Sequence, residues 1–167
     1  MDFVSEEGRQ VFERIREKPY ILTTAPDEVS PNCFFKGQEL LTELVNRGFA
    51  VRARIGEMDW AETPLPDEIV CLHPKEHQAT HFYLERYDNG KWVSLDASCD
   101  PELERLGFQV GEWDGKNSPN FKIINLFNHE RHIQYFNKWN DQNYVNSYFD
   151  DAKEFLVKVN LWLKENR

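Results

Sequence analysis

Three side chains that could together perform nucleophilic chemistry occur along the chain: Cys33, His81 and Asp96. A thiol that ionises, an imidazole that takes its proton and a carboxylate that orients the imidazole form a nucleophilic triad. Cys33 follows Ser30 and Pro31, where a helix is predicted to begin, so its thiol is expected in the first helical turn. The positive end of a helix stabilises a thiolate, and its free backbone N–H groups can bind an oxyanion. From its position alone, Cys33 is better interpreted as a buried cysteine that fills space under Phe34 and Phe35, since free cysteines are commonly core residues.

His81 and Asp96 lie on two predicted strands, Thr80–Tyr87 and Lys91–Ala97, joined by Asp88-Asn89-Gly90. An Asn-Gly pair between alternating apolar residues is a strong signal for a β-hairpin with a two-residue turn. The sequence therefore predicts that the imidazole and the carboxylate belong to one hairpin.

The turn length decides whether these two side chains meet. With a two-residue turn, Asp88 pairs with Lys91, and His81 is expected opposite Ser98. His81 and Asp96 then become diagonal neighbours on one face, with Cβ atoms roughly 7 Å apart. A three-residue turn without a bulge would move one of them to the other face.

Three blocks of sequence around these residues resemble the core of the transglutaminase-like superfamily. They are Cys33–Leu41 leading into Gly48–Gly56, then His81-Phe82-Tyr83-Leu84-Glu85, and finally Trp92-Val93-Ser94-Leu95-Asp96. They match that family's nucleophile helix and following strand, its His-x-aromatic-x-Glu strand and its Trp-x-x-Leu-Asp strand. Their order and spacing agree over residues 33 to 96.

The resemblance implies a papain-like α+β core, in which a nucleophile helix packs on an antiparallel sheet and a long helix ends the chain. It implies Cys33 as the nucleophile, His81 as general base and acid, and Asp96 as the residue that orients His81. Arg52 and Trp92 fall on positions that we interpret as structural supports. No cofactor and no metal are implied.

The chain departs from the family pattern at three places near the triad. Pro31-Asn32 stands where the family often has Gly before the cysteine, Tyr83 where it often has Trp, and Ala97 where it often has Pro. None of these changes removes a catalytic group. A side chain that helps to bind the oxyanion is also expected, and Gln10, Tyr20 and Asn32 are all chemically suitable.

The remaining pattern predicts one α+β domain over residues 1–167, with helices near both ends and antiparallel strands between them. Beyond the hairpin, the predicted elements are a first helix that ends before Pro19, a helix from about Pro31 to Asn46, a strand over Phe49–Ile55, a strand over Phe121–Phe127 and an amphipathic helix over Tyr144–Leu163. The segment Met58–His77 is predicted to be a surface loop with a short strand at Ile69–Leu72, and it is the candidate lid of the site.

Composition limits the partners and the compartment. The 167 residues include 29 acidic and 20 basic side chains, a net charge of −9, which argues against nucleic acid or an anionic membrane as the main partner. No apolar run approaches the ~18 residues needed to cross a bilayer. The N-terminus lacks the pattern of a secretory signal and the three cysteines are too few for a disulfide framework, so a cytoplasmic location is expected.

The cysteines allow two alternatives to the triad, a zinc site and a disulfide. Cys71, His73, His77 and His81 could be drawn as a zinc site, but Pro74 and the strand pattern after Thr80 disfavour the helical spacing this needs. Cys71 and Cys99 could pair only in an oxidising compartment. His129 and His132 are predicted to be surface residues.

The sequence thus predicts a cysteine enzyme that acts on a peptide, a protein or a small amide through a thioester, with hydrolysis favoured over transamidation. The alternative is a non-catalytic module that keeps the fold and binds a peptide or protein. Several aromatic residues of the second half could line a groove for the substrate or could pack the last helix on the core: Trp60, Trp113, Phe121, Trp139 and Tyr144.

Overall fold

The structure is a computed structural model that describes residues 3–114 and 119–167. The described residues form, in chain order, α1 (Phe3–Arg16), α2 (Cys33–Asn46), β1 (Val51–Glu57), α3 (Asp67–Val70), β2 (Thr80–Asp88), β3 (Lys91–Leu95), β4 (Asn125–Leu126), α4 (His129–Trp139) and α5 (Gln142–Asn166). Short 3₁₀ helices occupy Trp60–Glu62 and Pro101–Leu106. The predicted α+β class is confirmed.

The four strands form one antiparallel sheet in the order β3-β2-β1-β4. Helix α2 packs on β2 and β1 and also contacts α1. The strand that carries His81 is therefore paired on both sides and covered by the helix that carries Cys33. Such a central strand offers a rigid platform for a side chain that must be held in place.

The hairpin has the predicted register. Asp88 pairs with Lys91 across the turn. Asn89 and Gly90 adopt φ values of 47° and 84°, the left-handed conformation that a two-residue turn of type I′ requires. The register of the hairpin therefore relates the positions of His81 and Asp96 as the sequence predicts.

The ladder between β2 and β3 is shorter than predicted. Its last pair is Leu84 with Leu95, so the expected pairing of His81 with Ser98 does not form. His81 pairs instead with Gly56 on the other side of β2. The chain leaves the sheet after Leu95 because the next residues form a turn, in which the backbone N–H of Ser98 donates to the side chain of Asp96.

Two predicted strands are wrong or too long. The segment Ile69–Leu72 is not a strand, because Pro66 and the acidic Asp67 and Glu68 start the helix α3 at this point. Of Phe121–Phe127, only the two residues of β4 pair with β1.

Two helices follow β4, and only the second was predicted. Helix α4 starts at an Asn128 cap, whose side chain accepts a hydrogen bond from the backbone N–H of Arg131. Helix α5 buries the predicted apolar face: Phe149, Ala152, Phe155, Leu156, Val159 and Leu163. No helix within residues 3–114 and 119–167 combines the length and the apolar character needed to cross a bilayer.

The buried apolar residues form two clusters. One lies between α1, α2 and the sheet and contains Phe12, Leu40, Leu44, Ile55, Phe82, Leu84 and Leu95. The other lies between α5 and the irregular segments and contains Tyr20, Met58, Leu103, Phe108, Phe121 and Phe155. Cys33 contacts both clusters, so the start of α2 lies where the two halves of the core meet.

Gly37 allows α2 to approach the strand β2 closely. A Cβ atom at this position would lie 2.5 Å from a ring carbon of Phe82, nearer than side chains tolerate. The helix therefore needs a residue without a side chain where it crosses the strand. This contact fixes the distance between the helix of Cys33 and the strand of His81.

We expect Gly37→Ala to lower the free energy of unfolding by about 1–3 kcal/mol, because the added methyl group must displace Phe82 or the helix. Thr42→Ala, at an exposed position of the same helix, is the matched control and should have little effect. Urea unfolding followed by circular dichroism measures both. Equal stability of Gly37→Ala and wild type would contradict the close packing.

Candidate active site

Cys33 is the first residue of α2, as the sequence predicts. The Asn32 side chain caps the helix by accepting a hydrogen bond from Phe35 N at 3.0 Å. Asn32 also donates from its amide to the Thr23 hydroxyl at 2.9 Å. The first backbone N–H groups of a helix have no partner inside it, so those of Cys33 and Phe34 remain for a ligand. The thiol is partly buried and lines a cavity.

His81 and Asp96 form a buried pair. The Nε2 atom of His81 lies 2.6 Å from an Oδ2 atom of Asp96, and both side chains are almost completely inaccessible to solvent. The predicted hairpin register thus brings together the imidazole and the carboxylate, although the backbone of Asp96 no longer belongs to the strand.

Asp96 accepts three further hydrogen bonds. Ser98 donates to its Oδ1 atom from the backbone at 3.0 Å and from the hydroxyl at 2.6 Å. Asn120 donates its backbone N–H to Oδ2 at 2.7 Å. A carboxylate with this many donors is satisfied as an anion without contact to water.

The two groups shift each other's ionisation. Burial acts to lower the pKa of His81, but the charge and hydrogen bond of Asp96, with a contribution from Cys33, raise this pKa to about 10. Burial acts to raise the pKa of Asp96, but the charge of His81 and the hydrogen bonds described above lower it. At neutral pH the pair is therefore an imidazolium and a carboxylate.

The second ring nitrogen of His81 is free for the thiol. Its Nδ1 atom is buried and makes no ordinary hydrogen bond within the described parts of the chain. Cys33 lies near enough to contribute to the raised pKa of His81, and Nε2 is engaged with Asp96, so Nδ1 is the ring nitrogen left for a thiol.

Two aromatic rings hold the imidazole in place. Tyr83 stacks on it with ring centres 5.8 Å apart, and Phe121 contacts it edge-on at 4.8 Å. Phe121 is buried and follows Asn120, so one short segment covers both members of the pair. This enclosure strengthens the attraction between the two charges, because water is excluded.

A cavity of about 370 Å³ opens beside Cys33. Its walls come from the segment before α2, from residues 58–80, from α4 and from α5. Most of the lining side chains are apolar or aromatic, among them Tyr20, Leu22, Phe34, Phe35, Met58, Trp60, Tyr135, Phe136, Trp139, Tyr148 and Phe149. Glu28 is the one acidic side chain among the lining residues that the structure describes, and no lysine or arginine occurs among them.

The predicted lid segment forms one wall of this cavity. Met58, Trp60 and His73 line it, while Leu65 and Ile69 are buried in the core and hold the segment down. Movement of this segment as a lid stays a prediction.

The structure narrows the candidates for the oxyanion side chain. Gln10 lies on α1, where it donates to Glu6, and it does not line the cavity. Tyr20 and Asn32 do line it, and the Asn32 amide is engaged at both ends as described above. Burial, with a contribution from the charge of Cys33, raises the pKa of Tyr20, so its hydroxyl stays protonated and can donate.

The five aromatic residues of the second half have different surroundings. Trp60 and Trp139 line the cavity. Trp60 also packs against Phe155 of α5 at 5.3 Å, and Phe121 lies in the same cluster. Trp113 takes neither predicted role, because it lies in the other cluster against Phe12 and Phe49. Tyr144 contacts Trp139 edge-on, with ring centres 5.5 Å apart.

The residues of the zinc alternative have separate partners. Cys71 is exposed beside the carbonyl of Glu68, His73 packs on Phe155, and His77 binds Asp151 at 3.1 Å. No group of three or more potential metal ligands occurs within residues 3–114 and 119–167. All three cysteines are unpaired, so the Cys71–Cys99 disulfide is not formed. Of the two histidines predicted at the surface, His129 is exposed and His132 is half-buried.

Sequence reasoning missed two contributors to the site. Asn120 acts through its backbone, which no residue type would reveal. Lys36 is fully buried, and a signal for it existed: it lies four and eight residues before Leu40 and Leu44, on the apolar face of α2. A lone charge on such a face indicates a buried polar contact.

Comparison of the chain with protein-family models, curated proteins and solved structures found no match.

The His81–Asp96 pair should make stability depend on pH. The pKa of His81 is raised in the folded state, so its contribution is complete below the unfolded value near 6.5 and is lost as pH rises toward about 10. The pKa of Asp96 is lowered, so its contribution is lost only in acid. In a Cys33→Ala background, where no thiol titrates beside the imidazole, we expect the stability difference between the protein with His81 and its His81→Gln variant to be largest near pH 5.5–6.5 and to fall above this by up to about 1.4 kcal/mol per pH unit.

Urea unfolding of both proteins at pH 6, 7.5 and 9 measures this difference. Other titrating groups, such as the buried Lys36, contribute equally to both proteins and cancel. A difference that stays constant across this range would show that the two side chains are not paired as ions.

Proposed function

We propose that this protein is a transglutaminase-like cysteine enzyme that cleaves an amide or peptide bond through a thioester on Cys33. The observation that carries the proposal is the buried His81–Asp96 pair with an unpartnered Nδ1 atom, together with a thiol at a helix N-terminus beside a cavity. This arrangement supports a nucleophilic mechanism, which uses a thiol, a base and a group that orients the base.

In the first half of the reaction, the Cys33 sulfur attacks the carbonyl carbon of the substrate. A C–S bond forms and the carbonyl π electrons move to oxygen, where the backbone N–H groups at the start of α2 and the Tyr20 hydroxyl can stabilise the negative charge. Collapse of this intermediate breaks the C–N bond. The leaving nitrogen takes the proton from Nδ1 of His81, and an amine or ammonia departs.

In the second half, water attacks the thioester carbonyl while Nδ1 of His81 accepts its proton. The C–S bond breaks and leaves a carboxylic acid and the Cys33 thiolate. The imidazolium beside Asp96 restores the starting ion pair. An amine in place of water would give transamidation by the same steps, and we favour hydrolysis.

The resemblance in sequence and the packing of these blocks agree with this proposal. Arg52 lies over the ring of Trp92 at 4.1 Å and forms an ion pair with Glu85, so residues from all three strands of the resembling blocks support each other. The nucleophile helix packs on the central strand, as a papain-like core would require. These contacts support the proposed roles of Arg52 and Trp92 as structural residues.

A first prediction concerns the reactivity of Cys33. The imidazolium of His81 stabilises a thiolate beside it, so iodoacetamide should label Cys33 already at pH 5–7, where ordinary thiols react slowly. Cys71 is exposed and lies away from the pair, so it serves as the control within the same molecule. Mass spectrometry of peptides after labelling from pH 5 to 9 gives both profiles.

In His81→Ala the Cys33 profile should move up to that of Cys71, since the counter-charge is gone. Cys33→Ala should abolish amide cleavage. If Cys33 and Cys71 have the same profile in wild type, the site is not a thiol–imidazole ion pair, and a role in binding a peptide or protein replaces the catalytic one.

A second prediction concerns the substrate. The aromatic walls favour an apolar acyl side chain, whereas Glu28 repels an anion, and its hydrogen bonds from Thr24 and Ser30 lower the pKa of Glu28 and keep it ionised. We expect kcat/KM for acetyl-phenylalanine amide to exceed that for acetyl-aspartate amide by at least about tenfold, or 1.4 kcal/mol. Release of ammonia measures both rates, and a preference for the aspartate amide would contradict the assignment of the cavity.

A further inference from the structure

Lys36 is a buried ammonium close to the nucleophile. It lies one turn after Cys33 in α2, and only 1% of its surface is accessible to solvent. Burial lowers its pKa to about 8, although the nearby Asp100, Cys99 and Asp96 act to raise it. Lys36 is therefore still largely protonated at neutral pH.

The ammonium of Lys36 is satisfied by three backbone carbonyls. Its Nζ atom donates to Arg16 O at 2.9 Å, to Lys18 O at 2.8 Å and to Ser98 O at 2.8 Å. The three acceptors belong to two separate segments, the end of α1 and the turn after β3. One side chain thus uses all of its donors to tie α2 to these segments.

Ser98 connects this contact to the catalytic pair. Its carbonyl binds Lys36, while its N–H and its hydroxyl bind Asp96. Asp96 in turn holds His81. A path of hydrogen bonds and covalent bonds therefore runs from Cys33 along α2 to Lys36 and through Ser98 and Asp96 to His81, whose pKa Cys33 in turn influences.

We propose that Lys36 is a positioning residue, whose ammonium locks the start of α2 onto the Asp96 turn and so fixes Cys33 against His81. This inference rests on the proposed function, because the alignment matters only if the thiol and the imidazole act together. Lys36 does not line the cavity, so it has no contact with substrate.

A charged side chain at position 36 is explained by the three backbone carbonyls that it satisfies. Three converging carbonyls in the core would each be an unsatisfied acceptor, and an apolar side chain at position 36 would leave them so. An ammonium supplies three donors in the tetrahedral arrangement that these carbonyls need. Packing alone could hold the helix near the turn, but it would not fix the rotation and translation of α2 as three directed hydrogen bonds do.

The test is the pH profile of Cys33 alkylation in the full chain with Lys36→Met. Methionine keeps most of the side-chain volume and removes the three donors. We expect the rate of Cys33 labelling at pH 6 to fall by about tenfold or more relative to wild type, while that of Cys71 stays unchanged. Native circular dichroism at each pH confirms that folded protein is being labelled.

Leu44→Ala is the matched control for lost stability. Leu44 is fully buried at the other end of α2 and takes no part in the path of hydrogen bonds. This variant should lose stability through its cavity but keep the wild-type profile of Cys33. Ser98→Ala removes the hydroxyl bond to Asp96 and keeps the carbonyl that binds Lys36, so it should shift the profile in the same direction by a smaller amount. If Lys36→Met does not fold, Lys36→Gln gives the same comparison.

The outcomes separate the two proposals. A low-pH profile in wild type that persists in the variants of Lys36 and Ser98 overturns the positioning role and leaves the proposed function intact. A shift of equal size in Leu44→Ala also overturns it, because loss of stability would then explain the effect. Identical profiles of Cys33 and Cys71 in wild type overturn the proposed function itself, and the positioning role with it.

Discussion

The buried ion pair of His81 and Asp96 is the interaction on which the rest of the structure depends. Two charges in a core are costly unless each has its full set of hydrogen-bond partners, and here these partners come from distant parts of the chain. The turn after β3, the segment around Asn120 and the central strand must all be in place before the carboxylate has its partners. The fold therefore supplies the hydrogen-bond partners that allow this ion pair to be buried, and α2 adds the thiol of Cys33.

Much of the triad could be predicted because its determinants are local. The Asn-Gly turn fixes the parity of two strands, and helix capping fixes the place of Cys33, so neither depends on distant residues. The exact route of Asp96 could not be predicted. Its departure from the strand results from contacts with Ser98, Asn120 and the close passage of Gly111, which are tertiary. Without these contacts, the chain after Leu95 could continue the ladder with β2 in an extended conformation.

The elements that shape the cavity were the least predictable. Helix α4 carries Ile133, Phe136 and Trp139 at helical spacing, but none of its residues is buried, and its position depends on contacts with α5. In Ile69–Leu72 the short apolar run suited a strand or a helix equally, and the preceding Pro66 and two acidic residues decided for the helix. The long apolar face of α5, in contrast, is so regular that the sequence alone predicts it. Regular faces are predictable, whereas walls made of short irregular pieces are not.

The wall of the cavity before α2 is held by the far end of the chain. Asn160 of α5 donates to and accepts from the backbone of Leu22, and Arg167 binds the carbonyl of Tyr20 together with Asp100. The contacts with Leu22 and Tyr20 join residues that are well over a hundred positions apart, so they close one of the longest loops in the chain. During synthesis on the ribosome, the thiol and its imidazole partner emerge long before α5. The pocket beside them forms only after α5 has been synthesised, so the site is completed after the rest of the fold.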